Sequence, residues 1–162
     1  MAETLGSLVD KLSIKDIRVF HLRQMVDSND MKFPRAVLLS KLRVLASQKQ
    51  ELAREIDAFV VLAAKGKARF KDEKLKLYNA VKDMGRIPRT VSIGEAISGL
   101  AGKNLELWHL EDEARRKDVK LNYIGEIKRK IDLTNQQRND YIDKIDELFE
   151  DRVKTCHPKK VQ

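Results

Sequence analysis

Apolar residues return every three or four positions along four stretches of this 162-residue chain, the spacing that lays one greasy stripe along a helix. The first predicted helix runs from Thr4 to Val26, with Thr4 as N-cap. The run Asp27-Ser28-Asn29-Asp30 and the Phe33-Pro34 step break it. The second runs from Pro34, suited to a first turn, to Ala64, and Gly66 ends it. Its Leu38, Leu42, Leu45, Leu52, Ile56 and Phe59 share one seam. The third starts at Ser92, where Ser92-Ile93-Gly94-Glu95 reads as a capping box, and reaches about Lys117. The fourth spans Asn122 to Val153. A short amphipathic helix is predicted over Ala68–Lys82, with Phe70, Leu77, Tyr78 and Val81 on one face and lysines on the other. Short connections make the long helices antiparallel neighbours. The fold class is all-α: an antiparallel four-helix bundle of two hairpins, plus one short basic helix between them.

The two hairpins resemble each other. Thr4–Leu22 lies over Ser92–Leu110 at an offset of 88 without a gap. Gly6 then meets Gly94, Leu12 meets Leu100, Lys15 meets Lys103, and His21-Leu22 meets His109-Leu110. Phe20 meets Trp108. At an offset of 89, Leu38, Leu42, Lys49, Leu52, Ile56 and Asp57 meet Ile127, Ile131, Arg138, Tyr141, Ile145 and Asp146. Two helices matching in order, with connection lengths equal to within one residue, favour duplication over convergent amphipathic patterns. The domain is then 1–154, with repeat one at 4–64, a basic insert at 65–91 and repeat two at 92–153. Residues 155–162 form a basic tail.

Composition narrows this little further. Hydrophobic residues are 42% and charged residues 36%, which suits helices with one wet face, and aromatics at 6% argue against a sandwich or barrel. No apolar run reaches transmembrane length, the N-terminus does not read as a signal peptide, and Cys156 is alone, so a cytoplasmic location is expected. Net charge is +8, and Lys65–Arg89 alone holds nine cations against Asp72, Glu73 and Asp83. Lys65, Lys67, Arg69, Lys71, Lys74, Arg86 and Arg89 are therefore candidates for contact with a polyanion, without sequence preference, or with a protein partner. Its apolar positions are open to two readings, a membrane-facing stripe or the face that packs on the bundle. A homodimer is left open.

The seams carry polar interruptions. Arg138 stands between Thr134 and Tyr141 where an aliphatic residue belongs, and Lys49 stands likewise between Leu45 and Leu52. Asn104 interrupts helix three, and Asp16 is its counterpart on helix one. A buried charge costs several kcal/mol unless paired. Register, a snorkelled side chain or a functional pocket would each explain it. His109, Asp112 and Arg116 fall along one side of helix three, and Asp132, Asn135, Arg138 and Asn139 near one side of helix four. These are the polar-cluster candidates.

The run Trp108-His109-Leu110-Glu111-Asp112-Glu113-Ala114-Arg115-Arg116, followed by Lys128, Ile131-Asp132 and Asn135-Gln136-Gln137-Arg138-Asn139-Asp140, resembles an uncharacterised bacterial domain-of-unknown-function family. The resemblance is limited to Trp108–Asp146 in the C-terminal half and implies a helical protein with a polar site, found near genes for cell-envelope glycosyltransferases. It implies no activity.

Known chemistries fit poorly. Glu106-x-x-His109 has di-iron spacing, but the matching place reads Arg18-x-x-His21. Arg152 and His157 echo a toxin-type ribonuclease pair, yet lie at the tail. No cofactor and no metal is expected. The leading expectation is a non-enzymatic binding or accessory protein. The rival is an enzyme or small-anion binder in which Arg138 holds the anion, His109 moves protons and Asp112 orients it.

Overall fold

The computed structural model describes residues 3–28, 33–71 and 87–156. Four helices account for its regular structure: α1 (Leu5–Asp27), α2 (Arg35–Ala64), α3 (Ile93–Ala114) and α4 (Leu121–Cys156). Among the described residues there is no strand. Local chemistry sets the ends. The Thr4 hydroxyl accepts the Ser7 amide at the start of α1. At α3, Ser92 Oγ accepts the Glu95 amide at 3.2 Å, and the Glu95 carboxylate accepts the amides of Ser92 and Val91 at 3.1 and 3.2 Å. This is the predicted capping box. Gly66 takes φ +67°, where a side chain would be strained, and the Lys67 amide turns back to the Leu62 carbonyl.

The core draws on all four helices: Leu5 and Leu8 of α1, Leu52, Phe59 and Ala63 of α2, Ala96 and Leu100 of α3, and Tyr141, Ile142 and Ile145 of α4. Each large side chain buried there stabilises the fold by about 1.5–3 kcal/mol. On α2 the buried Leu38, Leu45, Leu52 and Phe59 recur every seven residues, one turn-matched seam against α1.

The helices do not share contacts evenly. The extended contacts are α3 with α4, α1 with α2, α1 with α4 and α1 with α3. α1 is thus the central helix, and α2 lies along α1 with no comparable contact to α3 or α4. Close approach of α1 and α4 depends on Gly6, where a Cβ would stand 2.3 Å from the Ile142 carbonyl oxygen. Its repeat counterpart Gly94 has nothing within 4 Å.

Three expectations about boundaries change. α3 ends at Ala114, three residues short, because Arg115 closes the last turn through its amide. α4 continues through Thr155 and Cys156, so the tail begins later than predicted. The expected helix over 68–82 is not helical at 68–71, and its remainder lies outside the described residues. There Ala68 and Phe70 face the core while Lys67, Arg69 and Lys71 are exposed, the alternation of an extended segment.

Candidate functional site

The polar centre forms where α1, α3 and α4 meet, and its hub is an α1 residue, Asp10. Gly6 and Asp10 are one turn apart on the α1 face that receives α4. Opposite them α4 offers Arg138, Ile142 and Asp146, again at four-residue steps. The Asp10 side chain is 6% exposed and that of Arg138 25%. Arg138 Nε donates to Asp10 Oδ1 at 2.8 Å, and its Nη2 donates to Oδ2, a two-pronged pair. Asn104 Nδ2 donates to the same Oδ1 at 2.9 Å and approaches Ser13 Oγ at 3.3 Å. One turn earlier, Asp146 Oδ1 accepts the Gly6 amide at 2.7 Å. A carboxylate thereby satisfies a donor at the start of α1, where the helix dipole favours negative charge. Hydrogen bonding to Asp10 raises the pKa of Arg138 against the opposing effect of burial.

This arrangement differs from the seam read off the sequence. Arg138 and Asn104 do meet, but only through Asp10, which the seam pattern passes over. Lys49, the counterpart of Arg138, pairs with Asp16 at the surface, where Asp16 is 54% exposed. The other polar-cluster candidates do not gather around Arg138. His109, Asp112, Arg116 and Asp132 are exposed, and Asn135 and Asn139 half-buried. Asp112 pairs with Arg115 at 3.1 Å. Arg116 bridges Glu113 and Asp118 at 3.0 and 2.7 Å, which raises its pKa, the hydrogen bonds to Asp118 contributing most. The Glu113 carboxylate is held below its ordinary value, first by the Tyr123 hydroxyl at 2.8 Å and then by Arg116. One turn of a surface helix binds its own charges.

Beside the polar centre lies an aromatic contact between the two hairpins. The His21 ring stacks on Trp108 with centroids 4.6 Å apart and planes 4° from parallel, and meets His109 edge-on at 6.3 Å. His21 Nε2 is buried and has no hydrogen-bond partner among the described residues. A groove of about 440 Å³ runs from this stack to the polar centre, with Ile14, Ile17, Leu107 and Trp108 along it and Arg18, Glu111 and Arg115 at its rim. Arg138 reaches it with its guanidinium already engaged by Asp10. Among the described residues no three His, Cys, Asp or Glu side chains converge as a metal site. Glu106 is taken up by Lys103 at 2.8 Å and by the Thr134 hydroxyl at 3.3 Å. Arg152 is exposed, and His157 lies outside the described residues.

Of the basic insert, Lys65, Lys67, Arg69 and Lys71 follow α2, and Arg89 precedes α3. All five are exposed. Lys74 and Arg86 lie outside the described residues. Phe70 is held between Phe59 of α2 and Phe149 of α4, with ring centroids 6.5 and 6.0 Å away, so its bundle-packing reading is the correct one. Lys71 reaches Glu150 at 3.1 Å.

Fold and polar centre define an all-α protein of two unequal helical hairpins joined by a basic link. The chain belongs to the family described as a protein of unknown function, DUF4254, which it matches over residues 1–71 and 95–162. Those stretches contain α1 and α2, then nearly all of α3 and the whole of α4, and the match passes over most of the basic link. No curated protein and no solved structure matches the chain. Among the described residues no helix is long and apolar enough to cross a membrane.

Proposed function

We propose that this protein acts by binding rather than by catalysis, as an accessory to envelope-glycan or other cytoplasmic machinery, and that its basic link contacts a polyanion. One observation carries the reading. Phe70 anchors the link in an aromatic cluster while Lys65, Lys67 and Arg69 stay exposed beside it. An extended segment fixed on one face presents its cations on the other, so ordering them for an anionic partner costs little conformational entropy. The polar centre supports the same preference. The cation best placed to hold a small anion, Arg138, is neutralised by Asp10.

Titration with heparin and with duplex nucleic acid at 50 and 200 mM salt tests this. Binding should weaken by roughly 100-fold between the two, as when about four anionic groups are neutralised. The triple variant Lys65→Glu, Lys67→Glu, Arg69→Glu should abolish it with the helical content unchanged. No binding at low salt overturns the proposal.

A further inference from the structure

The outer face of α2 is built like a docking face, yet among the described residues no helix covers it. In the repeat alignment, Ala53 and Asp57 of α2 stand where Ile142 and Asp146 stand in α4. In α4 that face lies against α1. In α2 it is open: Leu39, Arg43, Ala46, Gln50, Ala53, Asp57 and Val60 are all exposed. These positions advance by alternating steps of four and three, the ladder of a helix–helix seam. They sit about 100° round the helix from the seam that packs on α1.

The order of chemistry along this ladder reads the same from both ends. Pairing α2 with a second α2 running the other way, centred on Gln50, brings Leu39 within one residue of Val60 of the other copy. Arg43 then falls opposite Asp57, and Ala46 lies within one residue of Ala53. Gln50 meets its own counterpart, where two amides can exchange hydrogen bonds. Each contact occurs twice, as a two-fold interface requires. Small residues flank the centre and let the backbones approach. Among the described residues neither Arg43 nor Asp57 has an ion-pair partner within its own chain. The helix as a whole is polarised in the same sense: Arg35, Lys41, Arg43 and Lys49 fill its first half, and Glu51, Glu55 and Asp57 outweigh Arg54 in its second. Antiparallel pairing sets unlike halves together, whereas parallel pairing in register sets like charges together.

We propose that α2 is the interface of a homodimer, two copies joined by antiparallel contact of this ladder. The seam from Leu39 to Val60 is roughly 30 Å long at 1.5 Å per residue. Its large apolar contacts lie only at its ends, so the dimer is expected to be of about micromolar affinity.

Sedimentation equilibrium on the full chain tests this through charge exchange. Arg43→Asp and Asp57→Arg should each weaken self-association by about tenfold or more, because each sets like charges opposite one another twice. The double exchange should regain wild-type association within about threefold. An equimolar mixture of the two single variants should associate as well as the wild type does with itself. Circular dichroism on each variant establishes that the helices are retained. A wild type that stays monomeric to about 100 μM, well above the dissociation constant proposed, overturns the inference. So does a dimer that neither single exchange weakens, since another face would then be holding it. This outcome is independent of whether the basic link binds a polyanion.

Discussion

The two hairpins begin from matching sequences and end in unlike surroundings. Gly6 and Gly94 are counterparts, but Gly6 is pressed against the Ile142 carbonyl and Gly94 is open. Arg138 and Lys49 are counterparts, but Arg138 closes on a buried Asp10 while Lys49 holds Asp16 in water. Asp146 receives an amide from α1, and Asp57 stands exposed. All three differences have one cause. α4 packs along α1 of the other hairpin, whereas α2 has no comparable contact with α3 or α4, so residues at the α1–α4 contact are shielded and their aligned counterparts are more exposed. Charge that is excluded from water becomes structural, and charge left in water stays available for partners.

This contrast can be broken by substitution. Asp10→Ala should produce the largest loss, about 3–5 kcal/mol, because Arg138 and Asn104 lose their shared acceptor. Asp16→Ala in the other hairpin should cost within about 0.5 kcal/mol, since its pair is exposed. Urea unfolding of both variants measures the difference, and equal costs would mean that Asp10 is not buried.

Next in size is the pair Arg138→Leu and Lys49→Leu. The first leaves Asp10 buried with only Asn104 to satisfy it and should cost roughly 2–3 kcal/mol. The second should lie within about 0.5 kcal/mol of wild type. A double-mutant cycle on Asp10 and Arg138 should return a coupling of about 1–3 kcal/mol. The same cycle on Asp16 and Lys49 should return less than about 1 kcal/mol.

Gly6→Ala should cost about 1–3 kcal/mol, as the added methyl meets backbone and must push α1 from α4. Gly94→Ala should be neutral or gain up to about 1 kcal/mol from helix propensity. Thermal melts should show Gly6→Ala lowered and Gly94→Ala unchanged or raised.

The smallest effect is a pH dependence. Glu95 is held below the ordinary 4.5, first by the Val91 amide and then by the Ser92 hydroxyl and amide. Glu150 is lowered by Lys154 and then by burial-opposed contact with Lys71. A lowered carboxylate contributes stability that is present above its unfolded pKa and is lost as pH falls through the folded value. Melting temperature should therefore drop as pH falls below about 4.5. Glu95→Gln should be less stable than wild type at pH 7, and the gap should close in acid.

Much of the fold was legible before any coordinates. The capping box at Ser92, the Thr4 cap, the stop at Gly66 and the seven-residue seam of α2 are local chemistry, and they appear where the pattern put them. The insert was misread at Ala68–Lys71 because an extended segment and a helix can bury the same Phe70. Asp10 was missed for a different reason. Its neighbours Leu8, Val9 and Leu12 are apolar, and a search for one stripe does not register the second buried face that a central helix needs. The one usable signal was Gly6 four residues before it, since a small residue one turn from an acid marks a close approach.

The amino-acid order by itself determined four helices, the caps that start α1 and α3, the stop after α2 and a cationic link, because caps, periodicity and charge runs act over a few residues. Which helix became central, and hence which of two aligned cations was set against a buried acid, was decided by tertiary packing alone. Burial is a property of what stands on the far side of a residue, and for Asp10 that neighbour, Arg138, comes from the other hairpin.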